Sequence, residues 1–261
     1  MSTQPIGFFD SGIGGTSIWK EVHKTLPQES SIFLADSKNA PYGEKTKEAI
    51  LALSIKNTEY LLQQNCKLIV VACNTATTNA IDYLRSHYSI PFIGIEPAIK
   101  PAALKTQTKT VGILATKGTL SSSLFSKTSS LYTSGIRVIE QVGEGLVDLI
   151  ESGKLYSEEM DQLLLKYTQP MLAANIDYLV LGCTHYPYLI PQLKKLLPPS
   201  VQIIDSGEAV AKQTRNILLQ QELINTKNEK ATHQFFTNKD EKLLQNFVPD
   251  AFSANVKRMD F

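Results

Sequence analysis

The sequence predicts an α/β fold made of two similar α/β domains with mainly parallel sheets, related by a pseudo-twofold axis, with the active site in the cleft between them. Three observations predict it. Short apolar runs alternate with helix-like segments nearly throughout, the pattern approximately echoes itself in the second half of the chain, and each half delivers a cysteine at the same place in that pattern.

The apolar runs are IGFFD (6–10), SIFLAD (31–36), LIVVAC (68–73), PFIGI (91–95), TVGILA (110–115), IRVIE (136–140), YLVLGC (178–183), VQIID (201–205) and HQFFT (233–237). Between them, segments such as Lys45 to Gln64 and Ser157 to Asn175 carry helical spacing. Such alternation predicts βαβ units. The echo is seen in VGILATKGT, whose Val111 lies 105 residues (111 − 6) after the Ile6 of IGFFDSGIGG, while Cys183 lies 110 residues (183 − 73) after Cys73. Any α/β protein repeats strand-loop-helix units, which is the bland explanation of the echo. Two like halves facing one another would instead bring both cysteines to one cleft, because open α/β sheets bind ligands beyond the carboxyl ends of their strands.

The boundary is expected in IEPAIKPAA, where Pro97 and Pro101 interrupt regular structure. This gives a first domain of residues 1–97 plus 209–261 carrying Cys73, and a second of residues 98–208 carrying Cys183. Residues 225–232, NTKNEKAT, read as an exposed connection.

Composition narrows the class. With 261 residues, 43% hydrophobic and 20% charged, the chain is that of an ordinary soluble globular protein. Its 26 basic and 25 acidic residues leave a net charge of +1, which suggests neither nucleic acid nor an anionic membrane as partner. The start MSTQPIGFFD lacks a basic region followed by an apolar one, and no apolar run approaches the roughly 20 residues a bilayer needs. A cytoplasmic protein is expected, with no N-terminal extension that would serve an activator. Three cysteines, an odd number, then read as reduced thiols.

DSGIGG (10–15) invites comparison with the dinucleotide fingerprint, and Asp36 falls about where a ribose-binding acid would. The third glycine of that pattern falls on Ser17, however, and Asp10 would set a carboxylate beside a pyrophosphate. What remains is a tight loop of Gly12, Gly14 and Gly15 at a helix N-terminus, suited to an anion such as a carboxylate or serving only as a turn.

Cys73 and Cys183 carry the sharper argument. A thiol where a strand end opens a helix feels the positive N-terminal dipole, and its pKa is expected to fall toward neutrality. Alone, either cysteine reads most simply as buried structure; two in matching places favour function, while Cys66 stays structural. Zinc would have only Cys73, Cys183 and His185 as ligands without C-x-x-C spacing, a single nucleophile leaves one cysteine idle, and a redox pair also lacks C-x-x-C. Two acid-base thiols facing across a cleft use both cysteines. One takes a proton from carbon, the other gives one to the opposite face, and the stereocentre inverts.

FFDSGIGG, NAPYG, VVACNTAT, GIEPA and LVLGCTHYP, in this order over nearly the whole chain, resemble the cofactor-independent glutamate racemase family, with aspartate and hydantoin racemases as more distant relatives. NAPYG favours the glutamate branch. The resemblance implies interconversion of L- and D-glutamate without cofactor or metal, D-glutamate supply for peptidoglycan, and a homodimer. It further implies that Cys73 acts on D-glutamate and Cys183 on L-glutamate. Asp10 and Ser11 bind substrate, with Asp10 assisting around Cys73, and Tyr42 and Gly43 close the pocket. Asn74, Thr75, Thr184 and His185 hold the substrate amine and carboxylates, and His185 helps Cys183 deprotonate. Glu151 in LIESG matches a family acid, although the preceding VGEGLVDL departs from the proline-containing pattern; Thr116 and Thr119 in ATKGT are further substrate contacts. The alternatives are another amino-acid racemase, chiefly for aspartate, and a non-catalytic amino-acid-binding module, which would tolerate loss of either cysteine.

Overall fold

One βαβ wiring scheme is laid down twice. The computed structural model describes residues 3–227, 230–248 and 254–261. Its strands are β1 (Ile6–Asp10), β2 (Ser31–Ala35), β3 (Leu68–Val71), β4 (Phe92–Ile93), β5 (Thr110–Ala115), β6 (Arg137–Val142), β7 (Tyr178–Gly182), β8 (Gln202–Ile204), β9 (His233–Thr237) and β10 (Asn255–Arg258). They form a six-stranded sheet in the order β10-β9-β2-β1-β3-β4 and a four-stranded sheet in the order β6-β5-β7-β8. The β2-β1-β3-β4 part of the first matches the second position for position, and the pairings are parallel. The echo in the sequence is therefore a repeated topology. Cys73 and Cys183 follow the corresponding strands β3 and β7.

Strand alternation explains why both faces are covered. In β1 and β3, Ile6, Phe8, Leu68 and Val70 enter one core, while Phe9, Ile69 and Val71 enter another on the opposite face. In the second sheet, Val111, Ile113 and Val180 face a third core, whereas Leu114, Leu179 and Leu181 join the same core as Ile6 and Phe8. One apolar core thus runs continuously between the two sheets.

The helices are α1 (Thr16–Thr25), α2 (Lys47–Gln63), α3 (Asn74–His87), α4 (Ile99–Lys105), α5 (Lys117–Leu120), α6 (Ser123–Tyr132), α7 (Leu146–Glu151), α8 (Glu158–Ala173), α9 (Ile190–Leu196), α10 (Gly207–Gln220) and α11 (Glu241–Phe247). The two long helices expected from spacing are α2 and α8, each with a side-chain cap. Thr46 accepts from the Ala49 N–H at 3.3 Å and Ser157 from the Met160 N–H at 3.2 Å. Three acids in the first turn of α8 (Glu158, Glu159, Asp161) complement the helix dipole. Among the described residues, no helix is long and apolar enough to cross a membrane.

Several expectations need correction. Pro101 does not interrupt regular structure: it lies in the first turn of α4, where a missing N–H costs no helical hydrogen bond. PFIGI contributes only the two-residue β4, and β10, whose polar residues NVKR hid it, was not expected. Of the connection 225–232, Asn228 and Glu229 lie outside the described residues. Asn225 is half-buried and its N–H donates to Glu29 Oε1 at 2.7 Å. The chain's return to the first sheet is anchored by α10, which packs on α1, and by β9, which pairs with β2.

A histidine under this return makes the fold acid-sensitive. His233 Nδ1 lies 2.9 Å from Ser31 Oγ, and the rings of His23 and Trp19 stand edge-on to it at centroid distances of 4.7 and 5.2 Å. Burial, with the nearby His23, pushes His233 down to about 4. Between its ordinary 6.5 and this lowered value the unfolded chain binds more protons, so stability falls as pH drops through that window. Lowering the pH from 7 to 5 is expected to cost about 2 kcal/mol through this group. Urea midpoints of the parent and His233→Gln at both pH values check it: the variant's loss should be smaller by that amount, and equal losses would refute the assignment.

Candidate active site

Four strand ends converge on one small cavity. Its walls are Ser11, Pro41, Tyr42, Gly43, Cys73, Asn74, Thr75, Thr116, Val147, Cys183, Thr184 and His185, which come from both sheets. Its volume is about 10 Å³, room for roughly one water molecule. Just outside lies a larger cleft of about 540 Å³ that shares Pro41, Gly43, Thr116 and Val147 with it. These four residues form the neck between cavity and solvent.

On the β3 side, Cys73 is the N-cap of α3, and its sulfur accepts the Ala76 N–H at 3.4 Å. The thiol lies 3.6 Å from Ser11 Oγ. The helix end was expected to lower the pKa of this thiol; in this closed geometry the opposite holds. Burial, reinforced by the charge of Asp10, pushes Cys73 well above its ordinary value, and the N–H of Ala76 only partly offsets this. Asp10 stands behind the wall, with Oδ2 accepting the Gly15 N–H at 2.7 Å and the Thr184 hydroxyl at 3.4 Å. Burial raises its pKa despite the nearby His185.

On the β7 side, Cys183 Sγ lies 3.8 Å from His185 Nδ1. The other ring nitrogen, Nε2, is 2.7 Å from Glu151 Oε1, and that oxygen also accepts the Ile13 N–H at 2.6 Å. Burial opposes a charged imidazole here, but hydrogen bonds to Cys183 and Glu151 outweigh it and hold the pKa of His185 well above 6.5. Burial likewise opposes a charged Glu151, yet His185 and the Ile13 N–H keep its pKa below the usual carboxylate value. The result is a Glu151–His185–Cys183 line with a cation in the middle. The anion that the DSGIGG loop receives is thus the protein's own Glu151. Glycine is required there by close approach: a Cβ on Gly12 would fall 1.9 Å from Glu151 Oε1, and one on Gly14 2.3 Å from His185 Nδ1.

Tyr42 is fixed from outside the cavity. Its hydroxyl donates to Asp36 Oδ2 at 2.5 Å and accepts from Asn57 Nδ2 at 3.2 Å, while Asn238 Nδ2 donates to Asp36 Oδ1. Burial, then Asp36, raises the pKa of Tyr42 well above its ordinary value, so the phenol stays protonated. Asn74 contributes a buried amide whose oxygen and nitrogen have no hydrogen-bond partner, both groups left over for a ligand. Thr75 Oγ1 meets Thr116 Oγ1 at 2.8 Å and Thr119 Oγ1 at 3.4 Å across the seam between the two sheets.

Of the residues singled out from the sequence, nine line the cavity: Ser11, Tyr42, Gly43, Cys73, Asn74, Thr75, Thr116, Cys183 and Thr184; His185 makes a tenth. Asp10, Glu151 and Thr119 stand one layer behind. Sequence reasoning missed Val147 and Pro41 at the neck and Asp36 behind Tyr42. Pro41 sat in the quoted NAPYG; Val147 sat in the stretch that departs from the expected pattern and carried no signal of its own.

Two α/β units of matching strand order each deliver a buried thiol, after corresponding strands, to one cavity. A sequence model of the Asp/Glu/Hydantoin racemases matches residues 15–214. A glutamate racemase of Herpetosiphon aurantiacus is 44% identical over 92% of this chain and 94% of its own length. Among solved structures, a glutamate racemase isoform of Bacillus anthracis superposes with a TM-score of 0.86 at 30% identity, covering 98% of this chain and 96% of its own. The Escherichia coli glutamate racemase, solved with L-glutamate and the activator UDP-MurNAc-Ala, gives 0.84 at 29% identity, covering 97% and 99%. The chain belongs to the Asp/Glu/hydantoin racemase family and is a racemase, with the two-domain α/β fold of the glutamate racemases.

Proposed function

We infer that the chain racemises glutamate, and that Cys73 and Cys183 are its two acid-base groups, one on each face of the substrate Cα. The observation that supports this most is that two buried thiols, reached from corresponding strands of two sheets, line a single cavity. Glutamate is the substrate named for the relatives on both measures of similarity, and L-glutamate is bound in the E. coli structure.

In the D-to-L direction Cys73 removes the α-proton and Cys183 returns one to the other face; in reverse the roles exchange. Cys73 is held protonated because burial and Asp10 disfavour its thiolate. The ammonium group of an arriving amino acid supplies positive charge beside that thiol and lowers the barrier to ionisation. On the opposite side the His185 cation is already built in. The carbanion-like transition state is stabilised by preorganised donors: the unpartnered Asn74 amide and the hydroxyls of Ser11, Thr75, Thr116 and Thr184, with Thr119 behind them. Tyr42 and Gly43 close the pocket, Asp10 assists at Cys73, and Glu151 holds His185 toward Cys183.

The same reading carries the rest of the proposal. The molecule divides into residues 1–97 plus 209–261 and residues 98–208, and near the boundary Ser206 Oγ donates to the Glu96 carbonyl. It works as a homodimer in a bacterial cytoplasm, supplying D-glutamate for peptidoglycan.

Purified protein incubated with either enantiomer in D₂O, without added cofactor, is expected to bring optical rotation to zero and place deuterium at Cα. Unchanged rotation from both enantiomers would refute the reading; inversion of aspartate in place of glutamate would move it to the aspartate branch.

A further inference from the structure

Beside its neck the cavity is closed by a seam between α3 of the first sheet's unit and the short α5 of the second. Three threonine hydroxyls meet there, from Thr75 on α3 and from Thr116 and Thr119 at α5. The backbone at Gly118 is pressed into the seam: a Cβ would lie 2.9 Å from Thr75 Cγ2 and 3.1 Å from both Cα and O of Gly43. One further side chain crosses. Asn79, one turn along α3 from Thr75, donates from Nδ2 to the Thr75 carbonyl at 2.8 Å and to the Gly118 carbonyl at 3.2 Å. The same nitrogen lies 3.3 Å from Thr78 Oγ1, so its two hydrogens serve three acceptors, two on α3 and the Gly118 carbonyl across the seam. Asn79 lines neither the cavity nor its neck; it lies on the outer groove with Thr78, Asp82 and Ser123.

We propose that Asn79 is a positioning residue, whose amide clasps the Gly118 carbonyl across the seam, seats the Thr116–Thr119 turn on α3 and keeps both site cysteines out of solvent. A cavity of about 10 Å³ has no room for an amino acid, so its walls must part for substrate to arrive, and Thr116, which lines both the cavity and its neck, stands on the α5 side of the seam. The Asn79–Gly118 hydrogen bond joins the two sides of the seam from a residue that lines neither the cavity nor its neck. Its importance for turnover rests on the racemase reading; the clasp rests on geometry alone.

Cysteine alkylation separates the two. In ligand-free full-length protein, iodoacetamide reaches Cys73 and Cys183 only when the seam opens, while Cys66, packed against Gly7 and Leu61 in the core, is reached only by wider unfolding. Site-resolved mass spectrometry is expected to show Asn79→Ala labelling at Cys73 and Cys183 about fivefold faster, the worth of one neutral hydrogen bond, with Cys66 unchanged. Gly118→Ala wedges the same seam from the other side and is expected to give the same selective increase. Rates at Cys73 and Cys183 within twofold of the parent in both variants, or a parallel rise at all three cysteines, would overturn the clasp. Parent protein that fails to racemise glutamate while showing the selective labelling would sink the racemase reading and leave the clasp standing.

Discussion

Cys73→Ala and Cys183→Ala are each expected to lower kcat/KM for glutamate by about 10²- to 10⁴-fold, the usual contribution of a positioned acid-base group. The geometry makes the two losses comparable, because the cavity offers one thiol per side. Asp10 lies behind the wall, bonded to the Gly15 N–H. The enantiomers have equal free energy, so kcat/KM must fall by the same factor in both directions. What distinguishes the variants is isotope exchange in D₂O. With Cys73 alone, proton removal from D-glutamate and return to the same face is expected, giving deuterated D-glutamate without inversion; with Cys183 alone, L-glutamate behaves so. Proton NMR with chiral analysis of the amino acid checks this. Racemisation at the parent's rate in either variant would exclude the two-thiol mechanism.

The second large effect concerns His185. Its imidazole faces Cys183 at 3.8 Å and is held as a cation by Cys183 and Glu151 against the cost of burial. His185→Asn removes the charge beside a developing thiolate and is expected to lower kcat/KM by about 10²-fold, with Glu151→Gln, which acts through His185, costing roughly 10-fold. An effect of Glu151→Gln larger than that of His185→Asn would contradict the order of the line.

The pair also sets a pH window. The lowered pKa of Glu151 contributes stability that is present above its ordinary 4.5 and lost as pH falls through its lowered value. The raised pKa of His185 contributes stability that is complete below 6.5 and lost as pH rises through its raised value. Their joint contribution therefore spans the range from about pH 4.5 to above 6.5, and His233 opposes it on the acid side.

Much of this molecule could be read without coordinates because its strands are central and parallel. Buried on both faces, they appear as largely uninterrupted apolar runs, so β1, β2, β3, β5 and β7 fall close to where the runs lie. Edge strands are less uniform: β6 and β8 lie at the runs IRVIE and VQIID, whereas the edges of the first sheet are harder to read. β10 is an edge strand with exposed Lys257 and Arg258, and β4 is reduced to two residues. The cysteines were legible because strand ends in a doubled α/β unit are where ligands gather. Cys73, Cys183 and their Asn-Thr and Thr-His neighbours follow from that rule together with a family resemblance.

What the sequence by itself determined is the doubled βαβ order, the matched cysteines and the family. Only the tertiary structure decided the electrostatics and the seal. The sign of the shift at Cys73 depends on burial and on Asp10, which lies 63 residues away (73 − 10), and these outweigh the helix end that the local sequence supplies. The partner of the glycine loop is Glu151, from the other half of the chain, and the clasp joins Asn79 to a carbonyl in the other half. Local pattern fixes which residues stand at strand ends; burial and contacts between distant segments fix their charge and their access to solvent, because desolvation and hydrogen bonding depend on what the fold packs around a group.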